Sequence, residues 1–438
     1  MLRACRRSGE RRAGTATVIL FTMIVTSCAA AHQAIGNFCN PFRVDGTGIH
    51  RPSCKPDAGW RVRRRCYDGP VTGLAKVGLS PRVTSFHNLT ERYDMTTEAP
   101  PTAVPFTYTT FGSAYLAGLD MVLRTGTFVD GVTEPTSIGS RFGRAPRRTL
   151  EIVGYAAHIL DPSGFVLVSP RRRARLSSSV GLWAWTLSGS DQLAPIEYYN
   201  HRAKDFSDDA VRLHGALGPR LGGSAATDPP LLRVAIERLR ADPASRRAVV
   251  PLLLPGDLLV ETRDVPCSIA VQFLVRDGRL EALTYMRSQS AALVLVYDIF
   301  VFGALQRHVA ALLDLPLGNH HLFAGSYHVY EDEIGLVNEV VAADVSSVEM
   351  GPMMPSEAAT REFLRFETEV RLASTANDPG AVRRLAMDNP TDGSFEWQAK
   401  TILAGYGLAR LGRQAEARAL ADDLPQTLQG VMLEEWEG

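Results

Sequence analysis

Cysteine is scarce and unevenly spread. Six occur, at positions 5, 28, 39, 54, 66 and 267, so beyond residue 66 the chain carries one thiol. No cysteines have the spacing of a zinc site and there is no glycine-rich phosphate loop, so neither a cysteine-held metal nor a P-loop nucleotidase is expected. Lysine is almost missing, at 4 of the 47 basic residues, a bias that carries no functional meaning by itself. Net charge is lacking too: the formal balance is zero, yet residues 1–94 hold 15 Lys and Arg against 6 Asp and Glu, leaving 32 against 41 for the rest. A mildly acidic body argues against nucleic acid as its principal partner. No run demands a membrane for the main body, and 45% hydrophobic with 21% charged residues is the composition of an ordinary globular protein.

What is present gathers around that one late thiol. Cys267 lies in Asp264-Val265-Pro266-Cys267-Ser268, with Ser245-Arg246-Arg247 upstream. Downstream come Tyr285-Met286-Arg287-Ser288, then Tyr297-Asp298-Ile299, then Gly325-Ser326-Tyr327-His328-Val329-Tyr330. A lone cysteine serves equally well as a small buried apolar side chain. Several arginines and a histidine spaced around it instead describe an anion site beside a thiol that can be held as thiolate.

Local pattern places these residues on elements. Apolar spacing in Ser113 to Leu123 predicts an amphipathic helix that Gly126 can end. Asp228-Pro229-Pro230 reads as a capped start to a helix with Leu231, Val234, Ala235 and Leu239 on its buried stripe. Ser268–Val275, Asp277-Gly278 and Leu280–Met286 read as a hairpin, because Asp-Gly suits a tight turn matched to strand twist. That hairpin brings the start of one strand, Cys267, against the end of its partner, Arg287. A long apolar helix is expected from Asp298 to Leu313, closed by Gly318, followed by a strand over 320–330 that puts His328 and Tyr330 on one face. From Pro355 onward the chain reads as helical, with a hairpin of helices between Gln398 and Leu420.

From about Leu231 to Tyr330 this order of features resembles the superfamily of thymidylate synthase and deoxycytidylate hydroxymethylase. A Ser-Arg-Arg strand, a Pro-Cys nucleophile, a two-stranded segment ending in Arg-Ser, an aromatic-Asp-Ile helix start and a His-x-Tyr all follow in register. The resemblance implies an α+β protein of thymidylate synthase-like fold, a large mixed β-sheet packed by helices, here with an added C-terminal helical segment. It implies folate-dependent one-carbon transfer to carbon 5 of a pyrimidine nucleoside monophosphate, through a cysteine thiolate adduct at carbon 6. Cys267 is then the nucleophile; Arg287 and Ser288 bind phosphate within the subunit; Arg246 and Arg247 reach it from the opposite subunit of a homodimer; Arg141 or Arg144 adds a further arginine; His328 and Tyr330 bind the sugar hydroxyl. The implied one-carbon donor is methylenetetrahydrofolate. Asp298 stands where the family reads the base: a carboxyl can accept from the amine of cytosine and, when protonated, donate to its ring nitrogen, so a cytidine nucleotide is expected, with thymidylate synthesis on dUMP or a non-catalytic nucleotide-binding relative as alternatives. Asp298 as a simple helix cap also stays open.

The folate half matches less well. Ser290 stands where the family has an aspartate that contacts folate, Val180 where it has a glutamate that organises proton transfer, and Tyr198-Tyr199-Asn200 where it has tryptophans. Three parts are expected: a leader over 1–94, a catalytic domain over 95–345 and a helical extension over 346–438. Val25-Thr26-Ser27-Cys28 would pass for a lipoprotein cleavage site, but a nucleotide-modifying enzyme outside the cell lacks its substrates, so a disordered or over-extended start and a cytoplasmic enzyme are expected.

Overall fold

A computed structural model describes residues 106–132, 147–172, 174–222, 230–354 and 356–437. The leader over 1–94, Arg141, Arg144 and the Asp228-Pro229 helix start lie outside the described residues.

The chain builds one seven-stranded mixed sheet. Short β1 (Thr107–Thr110) leads through α1 (Phe111–Thr125) to β2 (Thr127–Val132), and both strands pair with the long β3 (Arg147–Asp161). Across the sheet the order runs β3, β8 (Leu317–Tyr330), β7 (Arg279–Ser290), β6 (Ser268–Arg276) and β5 (Val249–Pro251). β4 (Val166–Val168) and β9 (Ser346–Val348) form a separate antiparallel pair. The turn at Asp277-Gly278 takes positive φ at both residues, 50° and 71°, which is why Asp-Gly serves there. β6 and β7 run antiparallel while β7 and β8 run parallel. The start of β6 and the ends of β7 and β8 therefore meet at the same end of the sheet's strands, and the chemistry-bearing residues of all three strands collect there.

Helices close the fold. After α2 (Leu176–Leu187), α3 (Leu193–Tyr199), α4 (Leu217–Gly222) and α5 (Leu231–Ala241) comes α6 (Leu295–Leu313), whose 19 residues are long and apolar enough to cross a membrane by length and composition. Its residues are instead mostly buried, Ile299, Phe300, Leu305 and Val309 among them, in the core they share with α1 and the sheet. α6 starts three residues before the expected point and ends at Asp314, left-handed at φ 55°, rather than at Gly318: that glycine lies inside β8, packed against Glu281. Arg307 on α6 is buried and donates to the Met350, Gly351 and Ser163 carbonyls and to Glu349, so one guanidinium joins three segments. A charge taken out of water needs partners of this kind, and both terminal nitrogens of the guanidinium have them.

Beyond α7 (Ile334–Val341), five helices follow: α8 (Glu357–Thr375), α9 (Pro379–Met387), α10 (Phe395–Arg410), α11 (Gln414–Ala421) and α12 (Gln426–Glu437). α10 is buried on nearly every side, as a central helix must be, and the added helices belong to the same apolar core as the sheet. Tyr199 donates to buried Glu367 Oε1 at 3.0 Å, and Arg371 holds that carboxylate at 2.7 Å. The Tyr198-Tyr199 segment, which stands where the family has tryptophans, is therefore a dock for the C-terminal helices. Val180, in α2, is fully buried in the same core.

Candidate active site

Cys267 sits immediately before β6, exposed to solvent. The Arg287 backbone N–H donates to its carbonyl at 2.8 Å, closing the hairpin ladder at the predicted position. The Arg287 guanidinium then folds back on the nucleophile loop: Nε donates to Pro266 O at 2.8 Å, Nη2 to Val265 O at 2.9 Å, and Nη2 lies 3.7 Å from Sγ. From the other side Gly215 N–H donates to Asp264 Oδ2 at 2.7 Å, and a Cβ on Gly215 would fall 2.7 Å from the Asp264 carbonyl oxygen, so only glycine allows this approach. Asp208 completes the clamp, accepting from Thr262 Oγ1 at 2.6 Å and from Arg263 N–H at 3.1 Å.

The thiol is not in the state expected from the sequence. Although the residue is open to solvent, the protein packed around its sulfur pushes the Cys267 pKa above the ordinary thiol value; Arg287 pulls it down, and Asp298 and Asp264 push it up again. Desolvation disfavours the anion more than a single guanidinium favours it. The free protein therefore holds Cys267 mainly as thiol.

Asp298 lies one turn into α6. The helix begins after Val294 with no side-chain cap, so Asp298 is not a helix cap. Its Oδ2 accepts from Gln289 Nε2 at 2.7 Å, and burial raises its pKa to about 6. Gln289, at the end of β7, was not singled out from the sequence; the signal that could have found it is its place two residues after Arg287 on the same strand. Its Oε1 is buried with no hydrogen-bond partner, as is Ser290 Oγ beside it. Polar atoms left buried and unsatisfied on two successive residues are costly unless something else meets them.

Ser288 pairs in register with Ser326, and Ser290 with His328. His328 Nδ1 lies 3.3 Å from Ser326 Oγ, and its ring meets the Tyr330 ring edge-on with centroids 5.2 Å apart. The Arg147 guanidinium stacks 3.7 Å over Tyr330 and pairs with Asp332 and Glu333. Arg147 is a second residue the sequence did not flag, because only β3–β8 pairing brings positions so far apart in sequence together. Arg246 and Arg247 are exposed just ahead of edge strand β5, and among the described residues neither makes an ion pair. Cys267, Arg287, Ser288, Gln289, Ser290, Asp298, His328 and Tyr330 are thus brought to this end of the sheet, while among the described residues no contact joins Arg246 or Arg247 to them.

A thiol just ahead of a strand and clamped by an arginine, with a high-pKa carboxyl and a His–Tyr pair on the neighbouring elements, is the equipment of a covalent transferase acting on an anionic substrate. Residues 135–367, just over half of the chain, match the thymidylate synthase family model, and the chain belongs to that family, a family of one-carbon transferases. It is 29% identical over 162 residues to a deoxyuridylate hydroxymethyltransferase of Bacillus phage SP01, which covers 34% of this chain and only 42% of that protein. It is 27% identical over 227 residues to a thymidylate synthase of Francisella philomiragia subsp. philomiragia, covering 48% of this chain and 80% of the relative. The thermostable thymidylate synthase A from Bacillus subtilis superposes with a TM-score of 0.48 at 19% identity, over 57% of this chain and 91% of that one.

Proposed function

We propose that the protein transfers a one-carbon unit from methylenetetrahydrofolate to carbon 5 of a pyrimidine nucleoside monophosphate, with a cytidine nucleotide as the favoured substrate, and that it works as a cytoplasmic homodimer. The observation that carries this reading is the Arg287 clamp on Cys267, at 3.7 Å from Nη2 to Sγ, beside a half-buried Asp298 whose pKa is about 6.

In this reading Arg287 and Ser288 take the phosphate, with Arg246 and Arg247 supplied across the dimer; His328 and Tyr330 take the sugar hydroxyl. Asp298, tied to Gln289, accepts from the cytosine amine and in its acid form donates to the ring nitrogen. The Cys267 thiolate adds its lone pair to carbon 6, and the ring electrons so displaced make carbon 5 nucleophilic. Methylenetetrahydrofolate, when bound, supplies the electrophilic one-carbon unit. The unpartnered Ser290 Oγ fits a cofactor contact on the segment that leads into α6. In this reading water rather than hydride completes the reaction, giving a hydroxymethyl product. The catalytic unit of this reading runs over 95–345, with the helices beyond it as an addition.

A second reading, action on dUMP, is favoured by the name of the phage relative. Incubation of the protein with isotopically labelled methylenetetrahydrofolate and dCMP, CMP or dUMP in turn, followed by product identification, decides between them. A labelled cytidine product is expected; label in a uridine product alone moves the function to dUMP, and label in none leaves a nucleotide-binding relative.

A further inference from the structure

Among the described residues the Asp298 carboxyl has one hydrogen bond, from Gln289 Nε2 to Oδ2 at 2.7 Å, and nothing bonds Oδ1. Gln289 itself is 1% exposed, and its Oε1 is buried without a partner. An ionised carboxyl oxygen accepts only from the nitrogen end of an amide, so this bond sets which way the Gln289 side chain faces.

A carboxylic acid alone does not distinguish cytosine from uracil. Its hydroxyl donates, its carbonyl oxygen accepts, and the proton can sit on either oxygen. Cytosine carries an amine at position 4 beside a bare ring nitrogen, so it needs the acceptor opposite position 4 and the proton opposite the ring nitrogen. Uracil carries a carbonyl at position 4 beside a ring N–H and needs the reverse. The acid form of Asp298 is within reach near neutrality, at a pKa of about 6, so the oxygen that holds the proton selects the base. Gln289 governs that choice. While Nε2 donates to Oδ2, the proton is favoured on Oδ1, because a carbonyl oxygen accepts more strongly than a hydroxyl oxygen. A reversed amide would draw a proton from Oδ2 onto Oε1 and turn it away from the base. In neither orientation does Oδ2 offer a proton to a ligand.

We propose that Gln289 determines the base specificity of the site, keeping Asp298 Oδ2 an acceptor and so rejecting uridine nucleotides. It is a positioning residue, acting through Asp298. The assignment rests on the cytidine preference proposed above, which makes Oδ2 the oxygen opposite position 4. It also accounts for the orphaned Oε1: the amide is kept in a buried place for the sake of one end.

Calorimetry on the full chain with dCMP and dUMP tests it, at pH 6, near the Asp298 pKa. Gln289→Met fills nearly the same volume and removes the amide, which frees the acid form of Asp298 to carry its proton on either oxygen. Affinity for dUMP should rise by about tenfold, since the bond to Oδ2 no longer opposes the uracil pattern. Affinity for dCMP should weaken by only about twofold, since about half of the acid form still suits cytosine. A residue that merely supports the loop would weaken both nucleotides together, and damaged packing does not tighten one of them. Gln289→Asn, which draws the amide back from Oδ2, should give the same gain and serves if the methionine variant does not fold. Unchanged affinities, equal losses of both nucleotides, or a loss confined to dCMP each overturns this assignment and leaves the proposed function standing. An unmodified protein that binds dUMP as tightly as dCMP, or binds neither, overturns the cytidine preference and this assignment with it.

Discussion

Arg287 holds Cys267 from two directions: its backbone N–H donates to the Cys267 carbonyl at 2.8 Å, and its guanidinium places Nη2 3.7 Å from Sγ while Nε and Nη2 donate to the Pro266 and Val265 carbonyls. One side chain thus fixes the nucleophile loop, lowers the thiol pKa and presents positive charge at the mouth of the site.

Cys267→Ser should abolish turnover, since serine is not ionised at neutral pH, and should leave nucleotide affinity largely intact because the anion and sugar contacts lie on other residues. Isothermal titration with the nucleotide beside the turnover assay checks both halves. Turnover retained by the serine variant would remove Cys267 from the mechanism.

Alkylation of Cys267 by iodoacetamide should be slow at pH 7 and climb as pH rises through the raised thiol pKa, because only the thiolate reacts. Arg287→Lys gives up the paired bonds to Val265 O and Pro266 O and should slow alkylation further at pH 8, while weakening nucleotide binding by roughly tenfold or more. Faster alkylation in this variant would show that Arg287 does not favour the thiolate.

Asp298 ionises near pH 6, so its acid form is lost as pH rises through that value. Affinity for the cytidine nucleotide should fall over the same interval, and Asp298→Asn should remove that pH step and shift relative kcat/KM toward the uridine nucleotide by roughly one to two powers of ten. The sign for stability is the same: a carboxyl whose folded pKa is raised contributes stability below its unfolded value and loses it as pH rises through about 6. Thermal unfolding should therefore show Asp298→Asn gaining stability on the wild type between pH 5 and pH 8, on the order of 2 kcal/mol. A variant with neither effect would make Asp298 a bystander.

Arg246 and Arg247 do not meet the site within one subunit. Mixing Cys267→Ala chains with chains carrying both Arg246→Ala and Arg247→Ala should recover part of the activity, since each heterodimer keeps one complete site. No recovery after confirmed subunit exchange would place these arginines outside the catalytic centre.

The sequence by itself determined the hairpin at Asp277-Gly278, the strand ending in His328 and Tyr330, the buried helix α6 and the α+β class, because turn chemistry and hydrophobic period are local properties. It also singled out Cys267 and Arg287, since a two-residue turn fixes which positions of a hairpin face each other. Tertiary structure decided the rest. Gln289 bonds Asp298, Arg147 stacks on Tyr330, and Gly215 clamps Asp264 only once distant strands and loops have paired. The raised Cys267 pKa has the same origin: guanidinium charge is legible in a sequence, whereas the desolvation that outweighs it depends on how closely folded neighbours crowd the sulfur. The docking of α8 on Tyr199 was equally hidden, because the apolar face of a helix shows that it will be covered and leaves the covering surface to the fold.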